Sequence, residues 1–208
     1  MKRKVNKTTQ PIRSPSDREA ISSYFWNRNL RDYAFFQFGI ATGRRISDLV
    51  RLNVRDVAFI DRKGRLTIVE RLKIQEKKTG KFIDLMLHPS ARRALSKYIR
   101  QRRKQAPSIG AVLNEPLFKS RKQGRDGQYR IREQQAWRVL NNAARACGLT
   151  YKIGTHSLRK TFGYILYTSG TNIELIQKFL NHSSPAITLA YIGITQDDMD
   201  EAILSMDI

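Results

Sequence analysis

The chain has 208 residues, enough for one domain with a buried core, and 40% of them are hydrophobic, which excludes a disordered tract. Its 39 Lys and Arg outnumber 18 Asp and Glu, giving a net charge of +21; so large an excess repels itself unless a polyanion is present, and nucleic acid is the expected partner. There is no run of about 20 apolar residues to span a membrane, and no apolar stretch of a secretory signal follows the basic N-terminus. The single cysteine, Cys147, has no internal disulfide partner, so a cytoplasmic setting is expected. A ribosomal-type RNA binder would share this composition, so charge alone does not separate the two.

Residues 1–13 read as a flexible basic arm, and residues 14–208 as one domain. Ser14 as N-cap, Pro15 and Asp17 predict a helix start. "LRDYAFFQFGIATG" predicts a buried helix ending near Gly43, and "RISDLVRL" a short helix after it. Over residues 66–87, "LTIVE" and "FIDLML" predict β-strands with "KKTGK" as the turn between them. A basic amphipathic helix is expected from about Ser90, then a polar basic loop over 119–132, both candidates for DNA contact. "REQQAWRVLNNAARACG" and "HSLRKTFGYILYTSG" predict helices closed by Gly148 and Gly170. Thr171–Glu174 reads as a capping box, Ser184–Pro185 as a cap and first helical position, and Thr195–Asp198 as a second box opening the terminal helix 195–206. The fold class expected is α+β, mainly α, with a small antiparallel sheet.

Four short motifs carry chemistry. Arg45 falls at a helix start, where backbone N–H groups and a guanidinium both favour an anion, and Asp48 lies three residues on, placed to hold it. The turn "EKKTGK" offers Lys77, Lys78 and Lys81, any of which at a hairpin tip could reach a phosphate and donate a proton. His156 and Arg159 are neighbours at i and i+3 and can converge on one anion, with Gly163 leaving room one turn on. The fourth is "LNHSSPAITLAYIGI", where the capping signals put His182 at a turn and Tyr191 near the end of a short helix. Taken singly, each also fits a bland reading: a surface ion pair, a solvated turn, a helix-start histidine, a core tyrosine.

The ordered set is what discriminates. The stretches "ATGRRISDLVRL", "KKTGKFIDLML", "THSLRKTFGY" and "LNHSSPAITLAYIGI" resemble the tyrosine recombinase (phage integrase) family over residues 41–194, and two of the chain's 3 histidines fall on family positions. The resemblance implies that Tyr191 attacks a DNA phosphate to form a 3′-phosphotyrosine, that Arg45 and Arg159 hold the non-bridging oxygens, and that His182 donates to the same phosphate. It further implies that His156 acts as acid/base near the tyrosine, that Lys78 protonates the leaving 5′-oxygen, and that Asp48 supports Arg45. Duplex DNA is the implied substrate. No metal, cofactor, ATP, membrane or small-molecule substrate is implied. A terminal stripe of Met199, Ala202, Ile203 and Met206 is implied to dock on a neighbouring protomer in a DNA-assembled tetramer. Asn181 stands where the family usually has Gly; Asn is the next most tolerant residue of φ > 0, so the turn is expected to persist. About a dozen residues precede the first helix, as in short family members lacking a core-binding domain. A type IB topoisomerase and a non-catalytic DNA-binding regulator of the same fold are the alternatives.

Overall fold

Side-chain caps start helices at two of the places the sequence marks, Ser14 and Ser184. In the computed structural model, which describes residues 9–106, 108–123, 127 and 129–206, helix α1 (Pro15–Trp26) is capped by Ser14, whose Oγ accepts from Asp17 N at 3.4 Å. Helix α2 (Leu30–Thr42) ends at Gly43 in the left-handed region, φ 59°, and a Cβ there would run into the Phe162 ring. After α3 (Ile46–Leu49) come strands β1 (Ala58–Ile60), β2 (Leu66–Ile68), β3 (Arg71–Gln75) and β4 (Phe82–Met86). Helices α4 (Pro89–Arg103), α5 (Ile109–Leu113) and α6 (Glu133–Ala146) follow. The last four are α7 (Thr155–Thr168), α8 (Ile173–Leu180), α9 (Pro185–Ile192) and α10 (Gln196–Leu204). The side chains of 109, 197, 201 and 202 lie outside the description, so Ala202 of the expected terminal stripe does too.

The architecture is mainly helical, as expected, but the β region differs. It forms two separate two-stranded antiparallel sheets, β1 with β2 and β3 with β4. Leu66–Ile68 pairs back onto Ala58–Ile60, not onto residues 82–87. The partner of β4 is Arg71–Gln75, in the register Arg71↔Met86 to Gln75↔Phe82. Leu72 and Leu85 alone of that hairpin's paired residues are buried, with Ile74 and Ile83 half-buried on the same face and the alternate residues exposed. Helix α8 also differs at its start. Asn172, not Thr171, is the cap, its Oδ1 accepting from Glu174 N at 2.8 Å. The box at Thr195–Asp198 forms as read, with Thr195 N donating to Asp198 Oδ2 at 2.7 Å.

Helix α2 is the central post, packed against α1, α4 and α7. Phe35, Phe36 and Phe38 are fully buried on it and join the main core with Leu95, Ile99 and Phe118. A second, smaller core of Phe162, Ile176, Leu180 and Ile192 forms where α7, α8 and α9 meet. The expected arm is not loose at its inner end. Ile12 is fully buried, its N–H donates to Thr161 Oγ1 at 2.8 Å, and Gln10 N donates to Lys152 O at 2.9 Å. An apolar residue in a basic tract gains by burial, and Pro11 restricts the chain beside it. Residues 1–8 of that arm lie outside the described residues. Among the described residues no helix is long and apolar enough to cross a membrane.

Candidate active site

The second core is the platform for the chemistry. Gly163 on α7 lets α9 approach: a Cβ there would sit 2.6 Å from Ile192 Cγ2 and 3.1 Å from Leu180 Cδ1. The sequence reading gave Gly163 the role of leaving room; the room is taken by the helix that carries Tyr191. The Tyr191 hydroxyl comes 3.4 Å from His156 Nδ1, and its ring meets the His182 ring edge-on at 4.8 Å between centroids. The Lys160 ammonium lies 5.1 Å above the Tyr191 ring.

Asn181 makes the turn between α8 and α9. It adopts φ 47°, ψ 50°, in the left-handed region, so the expected turn is present, and His182 follows directly. Gln177 fastens the turn from both sides: its carbonyl accepts from His182 N at 3.1 Å and its Nε2 donates to His182 O at 3.1 Å. The His182 Nδ1 lies 3.2 Å from Thr188 Oγ1 on α9.

Two buried guanidinium groups tie the ends of helices together. The last carbonyls of a helix have no partner within it and carry its negative end. Arg159 donates from Nη1 to Gly43 O at 2.7 Å and from Nη2 to Leu180 O. Arg44 donates from Nε to Thr42 O at 3.0 Å and from Nη2 to Phe179 O at 2.5 Å. The ends of α2 and α8 are thereby joined twice. Arg45 caps α3 and is only partly buried, with Nη1 2.8 Å from Glu76 Oε2. Glu76 is fully buried, pairs through Oε1 with Arg44 at 3.3 Å, and accepts from Thr79 Oγ1 at 2.8 Å.

The electrostatics follow from this crowd of cations. Burial, then Arg159 and Arg45, push His182 down to about 4. Burial, then Lys160, Arg159 and Arg45, lower His156. Both imidazoles are therefore neutral at neutral pH. Burial raises the Tyr191 phenol, and the charges of Arg159 and Arg45 partly offset it. Burial pulls the Glu76 carboxyl upward, but Thr79 and the two arginines outweigh it and hold it below the usual range.

The structure thus brings together Arg45, His156, Arg159, His182 and Tyr191, five residues from four separate elements. Lys78 stands apart and exposed at the tip of the β3–β4 hairpin. Of the two rival lysines, Lys81 reaches inward, its Nζ donating to Asn181 Oδ1 at 2.8 Å, while Lys77 contributes its backbone N–H to Asp48 Oδ1 at 2.9 Å. Asp48 was expected to support Arg45; here it accepts from the base of the hairpin, and Glu76 makes an ion pair with Arg45. Both side chains face the base of the hairpin, Arg45 pairing with Glu76 and Asp48 accepting from the next backbone N–H. Arg44 and Glu76 were missed by the sequence reading. Period-two alternation from Leu72 through Ile74 points Glu76 inward, and a buried acid in so basic a segment demands a cation.

Basic side chains gather outside this cluster. Arg31, Arg121, Lys122, Arg130, Arg132 and Arg138 line a cleft of about 610 Å³ that includes part of the 119–132 loop. Residues 124–126 and 128 of that loop lie outside the described residues. Arg93, Lys97 and Arg100 on α4, with Lys104 just past its end, border another hollow. None of the clustered candidates lines either.

Comparison with known proteins agrees with this geometry. The phage integrase family profile matches residues 16–197. The probable integrase/recombinase YoeC of Bacillus subtilis is 40% identical over 188 residues, covering 90% of this chain and 91% of YoeC. Tyrosine recombinase XerD of Corynebacterium glutamicum is 30% identical over 176 residues, 83% of this chain and 51% of XerD. The chain thus spans nearly all of YoeC but about half of XerD. Among solved structures, XerA recombinase superposes with a TM-score of 0.71 at 20% identity, covering 98% of this chain and 66% of that one. XerH recombinase bound to a palindromic difH substrate, in a post-cleavage complex, gives 0.67 at 20% identity, covering 96% and 54%. The chain belongs to the phage integrase family, the tyrosine-type site-specific recombinases.

Proposed function

We propose that this chain cuts and rejoins duplex DNA through a covalent bond to Tyr191. The observation that carries the reading is the Tyr191 hydroxyl beside His156, with its ring against His182, among the charges of Arg45 and Arg159. The Tyr191 Oη attacks the scissile phosphorus and forms the P–Oη bond. The bond from phosphorus to the 5′-oxygen breaks, leaving a 3′-phosphotyrosine. Neutral His156, 3.4 Å from the phenol, takes its proton. The 5′-oxygen receives a proton from Lys78, swung in from the hairpin. Rejoining reverses these steps with a 5′-hydroxyl as nucleophile, so the phosphoester bond energy is kept in the tyrosyl link.

Charge gathers on the equatorial oxygens of the phosphorane-like transition state, and preorganised donors stabilise it there. Arg159 is fixed by two carbonyls and Arg45 by Glu76, so neither must reorganise as charge develops. A DNA phosphate entering between them adds an anion, which raises the pKa of His182 and favours its donating form. DNA as partner is supported by the XerH complex and by the net charge of +21. We assign the basic cleft around Arg130 and the α4 hollow to phosphate contact, since such contacts position a duplex. The exposed Met199, Ile203, Leu204 and Met206 support assembly with a second copy on DNA, up to a tetramer. Action on DNA in the cytoplasm completes the reading.

The test is the site of the covalent bond. Digesting the trapped protein–DNA adduct with trypsin and nuclease should leave a nucleotide on the peptide containing Tyr191. A nucleotide on any other residue refutes the assignment.

A further inference from the structure

Arg44 is 2% exposed and makes hydrogen bonds to three different segments. It reaches the end of α2 through Thr42 O, the hairpin through Glu76, and the end of α8 through Phe179 O. Each segment leads directly to a residue with a proposed role: α2 to Arg45, the hairpin to Lys78, which stands outside the cluster, and α8 to His182. Glu76 completes the link. Its two oxygens divide between Arg44 on one side and Arg45 with Thr79 on the other. A buried carboxylate with one fixed cation and one partly exposed cation holds the second in place through the first.

We propose that Arg44 and Glu76 are positioning residues for strand cleavage, setting Arg45 against the scissile phosphate and the hairpin against the His182 turn. The inference rests on the reading that Arg45 holds that phosphate. Guanidinium suits Arg44 because one planar fork must satisfy three acceptors at once; an ammonium on a flexible stem cannot span them. Glu76 in turn keeps two adjacent guanidinium groups from repelling each other in a buried setting.

The test uses the full chain and a nicked duplex carrying a site recovered from covalently captured genomic ends. In single-turnover cleavage, Glu76→Gln should slow adduct formation by about 10- to 100-fold, the scale of a small misplacement of a catalytic group. DNA binding should be unchanged. A second duplex carries a methylphosphonate at the scissile position, which removes the charge that Arg45 neutralises. On it the Glu76→Gln defect should shrink to within about threefold, as should that of Arg45→Ala. An equal defect on both duplexes, or none on the phosphate, overturns the proposal, because a merely structural role would not follow the phosphate charge. Arg44→Lys should fail to restore wild-type cleavage despite keeping the charge; full activity counts against the proposal. A measurement without DNA stands beside these. Guanidinium ¹⁵N NMR should show slow Nη rotation at Arg44 and Arg45 in wild type, lost at Arg45 in Glu76→Gln. Free rotation of Arg45 in wild type overturns the positioning role even if cleavage is normal. Wild type that forms no adduct on any captured DNA, with Arg45 held in the NMR experiment, refutes the cleavage reading instead.

Discussion

Gly163→Ala isolates the packing that aims the nucleophile. The new Cβ would lie 2.6 Å from Ile192 Cγ2, a stiff β-branched methyl on the residue next to Tyr191. Ordinary carbon contacts are about 3.5–4.0 Å, so α9 must retreat by roughly 1 Å. Overpacking of this kind costs about 1–3 kcal/mol, against a helix-propensity gain of about 1 kcal/mol for Ala over Gly. The net loss is therefore about 0–2 kcal/mol, a fall of up to about 8 °C in Tm for a chain of this size. Activity should fall further than stability does, since a displacement of about 1 Å at a reacting group costs on the order of 100-fold. Thermal unfolding and single-turnover cleavage on a nicked duplex measure the two effects separately. Adding Ile192→Ala removes the clashing methyl, so the double variant should lose less than the sum of the singles. Gly163→Ala with unchanged Tm and cleavage within about threefold of wild type would refute the reasoning.

Other outcomes follow from the same geometry. Lys78→Ala should slow cleavage strongly and be rescued by a 5′-bridging sulfur, a leaving group that needs no proton; if Lys77→Ala or Lys81→Ala behaves this way instead, the proton donor is that lysine. Asn181→Ala should destabilise by about 1 kcal/mol, because the left-handed conformation is costly for a residue with a Cβ and no local hydrogen bond, while Asn181→Gly should be near neutral in chemical denaturation. The folded protein holds His182 near 4, below its unfolded value of 6.5. Between those values the unfolded chain binds more protons, so stability without DNA should fall as pH drops from about 6.5 toward 4. His182→Gln should flatten that part of the curve, and an unchanged slope would count against burial of a neutral imidazole.

Much of the site was legible because local rules and catalytic rules coincide. Ser184–Pro185 marked the start of the Tyr191 helix, and the tolerance of Asn for φ > 0 kept the turn before His182. His156 and Arg159 shared a face by helical spacing alone. What could not be read were contacts between segments distant in sequence. The Arg44 bond to Phe179 O spans 135 residues, and nothing local marks either end. The strand partner of Leu66–Ile68 was missed because "AFI" is too short to announce a strand, and tertiary context decides such pairings. Asp48 was assigned to Arg45 because spacing within a helix was visible, whereas the Lys77 N–H that it accepts from comes from the hairpin.

Covalent capture tests the central claim most directly. Wild type and Tyr191→Phe are mixed with nicked, sheared DNA from the source genome, denatured, and examined for protein-linked DNA. The account predicts an adduct with wild type alone, joined through a 3′-phosphate and leaving a free 5′-hydroxyl, with both proteins binding DNA in a salt-dependent way. An adduct that persists in Tyr191→Phe, or none with wild type despite DNA binding, would contradict it.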